Sequence, residues 1–221
     1  MKKRIVFWGD SITDSLRDYQ MERDTTGYSR ITGSGYVRLI EATLGFECPQ
    51  QYEVLNRGIS GDRIVDLYAR IKKDVINLKP DVVSILVGIN DVGHEIAHNN
   101  GVDAEKFELV YGLIIQEIQK ALPAVKMMIL EPFVLPGSCT ESKEDRPNRW
   151  EIFSSETKLR QQAVKRIAQK YGVTFVPLQE AFEQANDAVS EKDYWLGDGV
   201  HPRACGHELI KRKWLEAFRK L

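Results

Sequence analysis

Three polar side chains, one near the start of the chain and two near its end, have the types that nucleophilic catalysis requires. Ser11 follows a glycine and an aspartate at the end of a short apolar run. Asp198 and His201 lie three positions apart near the other end of the chain. A serine hydroxyl becomes a strong nucleophile when an imidazole removes its proton and a carboxylate orients that imidazole. These residues therefore predict serine esterase chemistry, with Ser11 as nucleophile, His201 as base and Asp198 as the partner of His201.

The same chemistry needs hydrogen-bond donors for the negative charge that develops on the ester carbonyl oxygen. The sequence offers the backbone N–H of Ser11, the backbone N–H of Gly58 and the side-chain amide of Asn90. A glycine allows a backbone N–H to be approached without hindrance, often at an unusual φ. Loss of one such donor typically lowers the rate by about 100- to 1,000-fold. We therefore predict an oxyanion hole made by Ser11, Gly58 and Asn90.

The elements that must position these residues follow from the alternation of short β-branched runs with longer helical patterns. Five runs are predicted to be strands, at 5–7, 53–55, 82–87, 126–130 and 173–176. Apolar residues recur at helical spacing over 64–75 and 107–118, and a closing helix is predicted for 209–218. This order predicts an α/β fold in which helices cover both faces of a parallel sheet. Residues that directly follow the strands should then meet at one sheet edge.

Composition narrows the class of protein. The chain has 221 residues, with 31 Lys and Arg against 32 Asp and Glu. This length suits one domain, 1–221, and the balanced charge gives no reason to expect nucleic acid as a partner. No apolar stretch is long enough to span a membrane, and the run after the basic N-terminus is too short for a secretory signal. The three cysteines show no C-x-x-C spacing and leave one odd thiol however they pair, so we expect a protein of the reducing cytoplasm.

Four sequence blocks, in order and at suitable separations, resemble those of the SGNH, or GDSL-type, hydrolases. The blocks are Gly9-Asp10-Ser11, Asn56 to Gly61, Gly88-Ile89-Asn90-Asp91 and Asp198-Gly199-Val200-His201. The resemblance implies that Ser11, Gly58, Asn90 and His201 are the residues that define the family, with Asp198 as third triad member. It also implies a three-layer flavodoxin-like fold with a five-stranded parallel sheet. The chain lacks the Gly-x-Ser-x-Gly elbow of the larger α/β-hydrolases.

Within that family, the blocks are most similar to those of cytosolic carbohydrate acetylesterases, including acetylxylan esterases. The resemblance implies an acetylated oligosaccharide as substrate and no metal or organic cofactor. Relatives of this type often form homo-oligomers; the sequence leaves the oligomeric state of this chain open, with the loop 132–148 as a candidate contact. We expect Asp10 and Trp195 to bind substrate. Trp8 and Trp150 are further candidates for stacking on sugar faces, against the alternative that they belong to the core.

Other functions remain open at the level of sequence. A lysophospholipase or acyl-thioesterase would use the same residues, and a carbohydrate-binding protein without activity would share the fold. His94-Glu95-Ile96-Ala97-His98 also matches the zinc metallopeptidase pattern H-E-x-x-H. A glycine before it, the run Asn99-Asn100-Gly101 after it and the lack of a third ligand nearby favour a chance match, although His94 could still line the ester pocket. His207, in the closing helix, is assigned no role.

Overall fold

The computed structural model of the chain describes residues 2–20 and 30–221. Within these residues five strands form one sheet: β1 (Lys3–Gly9), β2 (Tyr52–Gly58), β3 (Val82–Leu86), β4 (Lys126–Leu130) and β5 (Thr174–Val176). The strand order is β2-β1-β3-β4-β5, and every neighbouring pair is parallel. This is the flavodoxin-like order, so the predicted fold class is confirmed.

Helices cover both faces of the sheet. The described residues contain α1 (Ser11–Asp14), α2 (Tyr36–Glu47), α3 (Ile64–Asp74), α4 (Ile89–His98), α5 (Ala104–Ala121), α6 (Arg149–Tyr171), α7 (Gln179–Asp187), α8 (Ala204–Phe218) and a short 3-10 turn at Ile76–Leu78. The apolar residues of α2, α7 and α8 pack on one face, and those of α3, α5 and the second half of α6 pack on the other. None of these helices combines the length and the apolar character that crossing a membrane requires.

The strands alternate their side chains between these two layers, as the pleat of a strand requires. In β1, Ile5 and Phe7 join the first layer, whereas Val6 and Trp8 join the second. All five residues of β3 are buried, which is typical of a central parallel strand covered on both faces. Packing of this kind fixes the direction of each strand, and therefore the place where the residues after each strand emerge.

Two features of the helices differ from the sequence-based prediction or go beyond it. The closing helix α8 begins at Ala204 rather than at Leu209, because Arg203 is extended and serves as its N-cap. The helices α2 and α7 have no counterpart among the predicted helices, and neither does the long helix α6. Its buried face includes Thr157 and Arg160, so the apolar period that reveals a helix is interrupted. The segment 132–148 lies between β4 and α6 as an irregular loop, as predicted.

Candidate active site

Ser11 lies at the carboxyl end of β1, where the chain turns directly into α1. Asp10 is the N-cap of α1, and its Oδ1 accepts a hydrogen bond of 3.0 Å from the Ile12 N–H. The turn is tight at Gly9, where a Cβ atom would lie 2.1 Å from the Leu86 carbonyl oxygen of the neighbouring strand. Only glycine fits there, and the close approach of β3 places Ser11 at the edge of the sheet.

The structure brings the side chains of Ser11, His201 and Asp198 into one hydrogen-bonded chain. Ser11 Oγ lies 3.0 Å from His201 Nε2, and His201 Nδ1 lies 2.8 Å from Asp198 Oδ2. The other carboxylate oxygen, Asp198 Oδ1, accepts the backbone N–H groups of Val200 and His201 at 2.9 and 2.8 Å. With an ionised Asp198, His201 carries its proton on Nδ1 and presents the Nε2 lone pair to Ser11.

The electrostatics of the pair favour that arrangement. Burial by itself would raise the pKa of Asp198, but the hydrogen bonds from the His201 ring and from two backbone N–H groups outweigh it and hold the pKa well below its usual range. In return, the hydrogen bond to Asp198 raises the pKa of His201 above the ordinary histidine value, against the opposing effect of burial. At neutral pH Asp198 is therefore a carboxylate that can stabilise a charged imidazolium.

The turn that carries Asp198 and His201 is held by the loop 132–148. The N–H groups of Leu135 and Cys139 donate to the carbonyl oxygens of Gly199 and Asp198, both at 2.9 Å. Gly199 has a φ of +95°, a region that glycine adopts without strain. A Cβ atom on Gly137 would lie 2.3 Å from the Gly199 nitrogen, so the two backbones approach closely. The loop therefore supports the base from within the same chain.

The prediction that Gly58 supplies an oxyanion donor is contradicted by the structure. Its N–H donates to Asn56 Oδ1 at 2.8 Å, and that bond already uses the donor. Gly58 is buried where β2 meets α1, and a Cβ atom there would lie 2.2 Å from the Asp14 nitrogen. Glycine is required at this position for close packing rather than for an N–H that faces a pocket.

Gly61, in the same sequence block, has the properties expected of Gly58. Its φ is +88°, and a Cβ atom there would have open space around it. Within residues 2–20 and 30–221, no acceptor bonds its N–H. It lies between Ser60, which lines the cleft beside Ser11, and Asp62, whose carbonyl oxygen accepts the Asn90 amide at 3.1 Å. The second Asn90 amide hydrogen is left for another acceptor. The sequence feature that could have identified Gly61 as a candidate donor is that it is the second glycine of the block Asn56 to Gly61.

Buried polar side chains hold these loops around Ser11. Asn56 is 4 % exposed, and its amide donates to the carbonyl oxygens of Thr13 and Thr32 at 2.6 and 3.0 Å. Asp14 is 3 % exposed and accepts the Ser60 hydroxyl at 2.5 Å and the Ser60 N–H at 3.2 Å. The loop after β2 is thus tied to the helix that begins with the nucleophile.

A cleft of about 510 Å³ opens beside Ser11 and His201. The other described residues that line it are Ile12, Ser15, Leu16, Ser34, Ser60, Pro202, Ala204 and His207. This volume is within the range of small-molecule sites, roughly 300 to 1,000 Å³. The cleft combines hydroxyl groups and imidazoles with aliphatic surface, so it can hold a ligand that has both polar and apolar parts.

The residues predicted to bind substrate lie elsewhere. Asp10 is 1 % exposed, and burial raises the pKa of its carboxyl group to about 7. Trp8 is fully buried in the core. The structure contradicts direct substrate contact for both. Trp195 is half-buried, donates its indole N–H to the Ala185 carbonyl oxygen at 2.9 Å, and is not among the described residues of the cleft. Its substrate role stays a prediction, as does that of the half-buried Trp150.

The H-E-x-x-H pattern does not form a metal site in the described part of the chain. His94 and His98 lie on α4 with ring centroids 5.9 Å apart, and α4 ends at His98 because Asn99 adopts a left-handed conformation with φ +50°. No third His, Cys, Asp or Glu of the described residues joins them in a metal-binding group. His94 is also absent from the described lining of the cleft.

Comparisons with known proteins identify the family of the chain. The model of the GDSL-like lipase/acylhydrolase family matches residues 7–209. An acetylxylan esterase from Geobacillus stearothermophilus is 32 % identical over 220 residues, which cover 96 % of this chain and 92 % of the relative.

Solved structures show the same likeness. A candidate GDSL-like lipase from Parabacteroides merdae superposes with a TM-score of 0.86 at 33 % identity, covering 98 % of this chain and 96 % of that one. The acetylxylan esterase Axe2 from Geobacillus stearothermophilus superposes with a TM-score of 0.79 at 30 % identity, covering 97 % and 93 %. The chain therefore belongs to the GDSL-like lipase/acylhydrolase family and is a serine esterase.

Proposed function

We propose that this esterase removes acetyl groups from carbohydrates through an acyl-enzyme formed on Ser11. The observation that carries the proposal is the continuous hydrogen-bonded chain from Ser11 Oγ through His201 to Asp198, with links of 3.0 and 2.8 Å. A serine in this arrangement can lose its proton to the imidazole as it attacks, without the cost of forming a free alkoxide.

The reaction follows from the positions of these groups. Ser11 Oγ forms a bond to the ester carbonyl carbon while its proton moves to His201 Nε2. The resulting oxyanion accepts hydrogen bonds from the Ser11 N–H, the Gly61 N–H and the Asn90 amide. Collapse of this intermediate breaks the bond to the alcohol oxygen, which takes the proton from His201. Water then attacks the acyl-serine by the same sequence, releasing acetate and restoring Ser11.

The choice of an acetylated carbohydrate rests on the relatives and on the cleft. The relatives include an acetylxylan esterase and an acetyl-xylooligosaccharide esterase, and two Axe2 structures are catalytic mutants in which a serine or a histidine is replaced by alanine. The cleft of about 510 Å³ is much larger than an acetyl group, so it has room for the alcohol portion of an ester. Its mixture of hydroxyl and aliphatic groups suits a sugar ring.

A direct test replaces Ser11 by alanine and measures turnover of acetylated xylo-oligosaccharides beside a panel of simple acetates. We expect Ser11→Ala to lower kcat by at least about 1,000-fold, because the nucleophile is lost, while the thermal midpoint stays close to that of the wild type. Ser155→Ala, on the exposed face of α6, is the matched control and should be fully active. Activity of Ser11→Ala within tenfold of the wild type would refute the proposed nucleophile.

Two further measurements test the finer parts of the proposal. Rapid quenching during turnover, followed by mass spectrometry of peptides, should find an acetyl group on Ser11 and none in the alanine variant. The exposed aliphatic side chain of Leu16 at the cleft keeps an acyl-chain hydrolase as the second candidate. A series of esters from acetyl to palmitoyl separates the two, because a deacetylase loses activity with chain length and a lysophospholipase or acyl-thioesterase gains it.

A further inference from the structure

His207, which the proposed reaction does not use, lines the same cleft as Ser11. It lies in the first turn of α8 and is 8 % exposed. Its ring stacks on Tyr36, with centroids 6.4 Å apart and an angle of 18° between the ring planes. A Cβ atom on Gly35 would lie 2.6 Å from His207 Cε1, so the absence of a side chain there makes room for the imidazole.

One hydrogen bond fixes which ring nitrogen carries the proton. Tyr36 is the first residue of α2, and its backbone N–H donates to His207 Nδ1 at 3.1 Å. A nitrogen that accepts a hydrogen bond must present its lone pair, so the hydrogen of the neutral ring lies on Nε2. Burial, together with the charge of a protonated His201, lowers the pKa of His207 to about 4. The ring is therefore neutral across the range in which the esterase would work, and Nε2 is a fixed donor.

Two other polar groups of the cleft, the hydroxyl groups of Ser34 and Ser60, differ from His207 Nε2 because their hydrogens are already used within the protein. Ser34 Oγ donates its hydrogen to the Ser15 carbonyl oxygen at 2.9 Å, and Ser60 Oγ donates to Asp14 at 2.5 Å. Both hydroxyl groups thus face a ligand as acceptors. Among the described residues, no acceptor bonds His207 Nε2. The cleft accordingly offers two hydroxyl acceptors and a rigid N–H donor, which match a ligand whose hydroxyl groups both donate and accept.

We infer that His207 is a specificity residue, whose Nε2–H binds an oxygen atom of the carbohydrate alcohol next to the ester that Ser11 attacks. The inference rests on the proposed function, and it assigns the cleft to the leaving alcohol rather than to the acyl group. An acetyl group consists of a methyl and a carbonyl whose oxygen is already bound in the oxyanion hole. The acetyl group has no further oxygen to accept a hydrogen bond from a second donor, whereas a sugar ring carries ether and hydroxyl oxygens that can accept one.

Two substitutions separate this role from structural support of α2. In His207→Asn the amide reaches the position of Nδ1 and can still accept the Tyr36 N–H, but nothing reaches the position of Nε2. In His207→Gln the longer side chain can place an N–H near the Nε2 position. The substrates are partially acetylated xylobiose and phenyl acetate, whose alcohol portion has no oxygen besides the ester oxygen itself.

We expect His207→Asn to lower kcat/KM for acetylated xylobiose about 5- to 10-fold, mainly through KM, as loss of one neutral hydrogen bond implies. Turnover of phenyl acetate should change less than about twofold, and His207→Gln should recover most of the activity on the sugar. Thermal midpoints of both variants report any structural effect separately.

The inference is overturned if His207→Asn lowers kcat/KM equally for acetylated xylobiose and for phenyl acetate. It is also overturned if the wild type hydrolyses both substrates and the variant keeps the same kcat/KM for the sugar. Should His207→Asn fail to fold, His207→Ala, which also has no N–H at the Nε2 position, takes its place: a lowered ratio of sugar to phenyl acetate activity supports the donor, and an unchanged ratio contradicts it. Failure of the proposed function is distinguishable, because the wild type would then show no Ser11-dependent turnover of either ester.

Discussion

Ser11 and His201 are hydrogen-bonded to each other beside one cleft, but the segments that carry them differ in how far their polar side chains are buried. Most polar side chains of the nucleophile segment, Gly9–Asp14, are buried: Asp10, Thr13 and Asp14 are between 1 and 3 % exposed. In the base segment, Trp195–Pro202, Leu196 and Val200 are buried, but the catalytic side chains reach solvent: that of His201 is 54 % exposed and that of Asp198 is 25 % exposed. The polar side chains around Ser11 are therefore enclosed by protein, whereas the base and its carboxylate partner contact water.

This difference determines what a substitution should do. Buried hydrogen bonds of the nucleophile segment replace contacts with water, so each broken one leaves an unsatisfied group inside the protein. A side chain of the base segment that loses its partner remains accessible to solvent. We therefore expect damage to the nucleophile segment to appear as lost stability, and damage to the base segment to appear as lost catalysis in a protein that still folds.

The largest expected effect on activity is that of Asp198→Asn in the base segment. The amide can keep the backbone hydrogen bonds but offers His201 no negative charge and favours the wrong tautomer, so kcat should fall by about 10,000-fold. Because the hydrogen bond to Asp198 is the main cause of the raised His201 pKa, the pKa should also fall in the variant. The base works as the neutral ring, so the acidic limb of kcat/KM moves to lower pH. Steady-state kinetics across pH measures both effects.

The contrast with the nucleophile segment requires that Asp198→Asn remain folded. Its free energy of unfolding in urea should lie within about 1 kcal/mol of the wild type at neutral pH, since Asp198 and His201 are partly solvated. A variant that unfolds at much lower urea while losing little activity per folded molecule would contradict the distinction between the two segments.

The sequence identifies the triad more readily than the oxyanion donors. Ser11 is recognisable from the block Gly9-Asp10-Ser11, and Asp198 and His201 from their spacing of three positions. The choice between Gly58 and Gly61 depends partly on a contact that is distant in the chain. Asp14 packs against Gly58, while the Gly58 N–H donates to the side chain of Asn56 two positions earlier. The sequence-based prediction chose Gly58, whose N–H is already bonded, and missed Gly61, which we propose as the donor.

The fold shows a similar limit. Parallel strands and their helices follow from apolar periodicity, and the family resemblance supplied the flavodoxin-like order. Periodicity failed at α6, where Arg160 is 2 % exposed and donates to the Val102 carbonyl oxygen. A buried arginine with a backbone partner has the sequence appearance of an exposed position. The same applies to His207, whose significance depends on Tyr36, a residue 171 positions away.

The next largest expected effect is that of Asn56→Ala on stability, which tests how the nucleophile segment is held in place. It leaves the carbonyl oxygens of Thr13 and Thr32 and the Gly58 N–H without their partner inside the protein. The free energy of unfolding should fall by about 3 kcal/mol, which corresponds to at least one or two unsatisfied buried groups. Urea denaturation followed by circular dichroism measures the loss. Asn148→Ala, exposed and without a side-chain cap hydrogen bond, is the matched control and should change stability by less than about 0.5 kcal/mol.

Activity of Asn56→Ala refines the comparison. Under conditions where the variant is fully folded, we expect it to keep far more activity than Asp198→Asn, because the triad side chains themselves are intact. If Asn56→Ala is as stable as the wild type, the buried hydrogen bonds do not hold the nucleophile segment, and the proposed contrast is wrong.

The smallest expected effect is that of Asp10→Asn, which links the two segments. The amide oxygen can still accept the Ile12 N–H, so α1 keeps its cap. Burial raises the pKa of Asp10 to about 7, and the negative charge of the ionised Asp10 carboxylate raises the pKa of His201. Without that charge the acidic limb of kcat/KM should move to lower pH, by less than in Asp198→Asn, while the plateau rate changes less than about threefold. If the acidic limb of the Asp10→Asn variant stays at the wild-type pH, the charge of Asp10 has no effect on the pKa of His201, and the prediction is wrong.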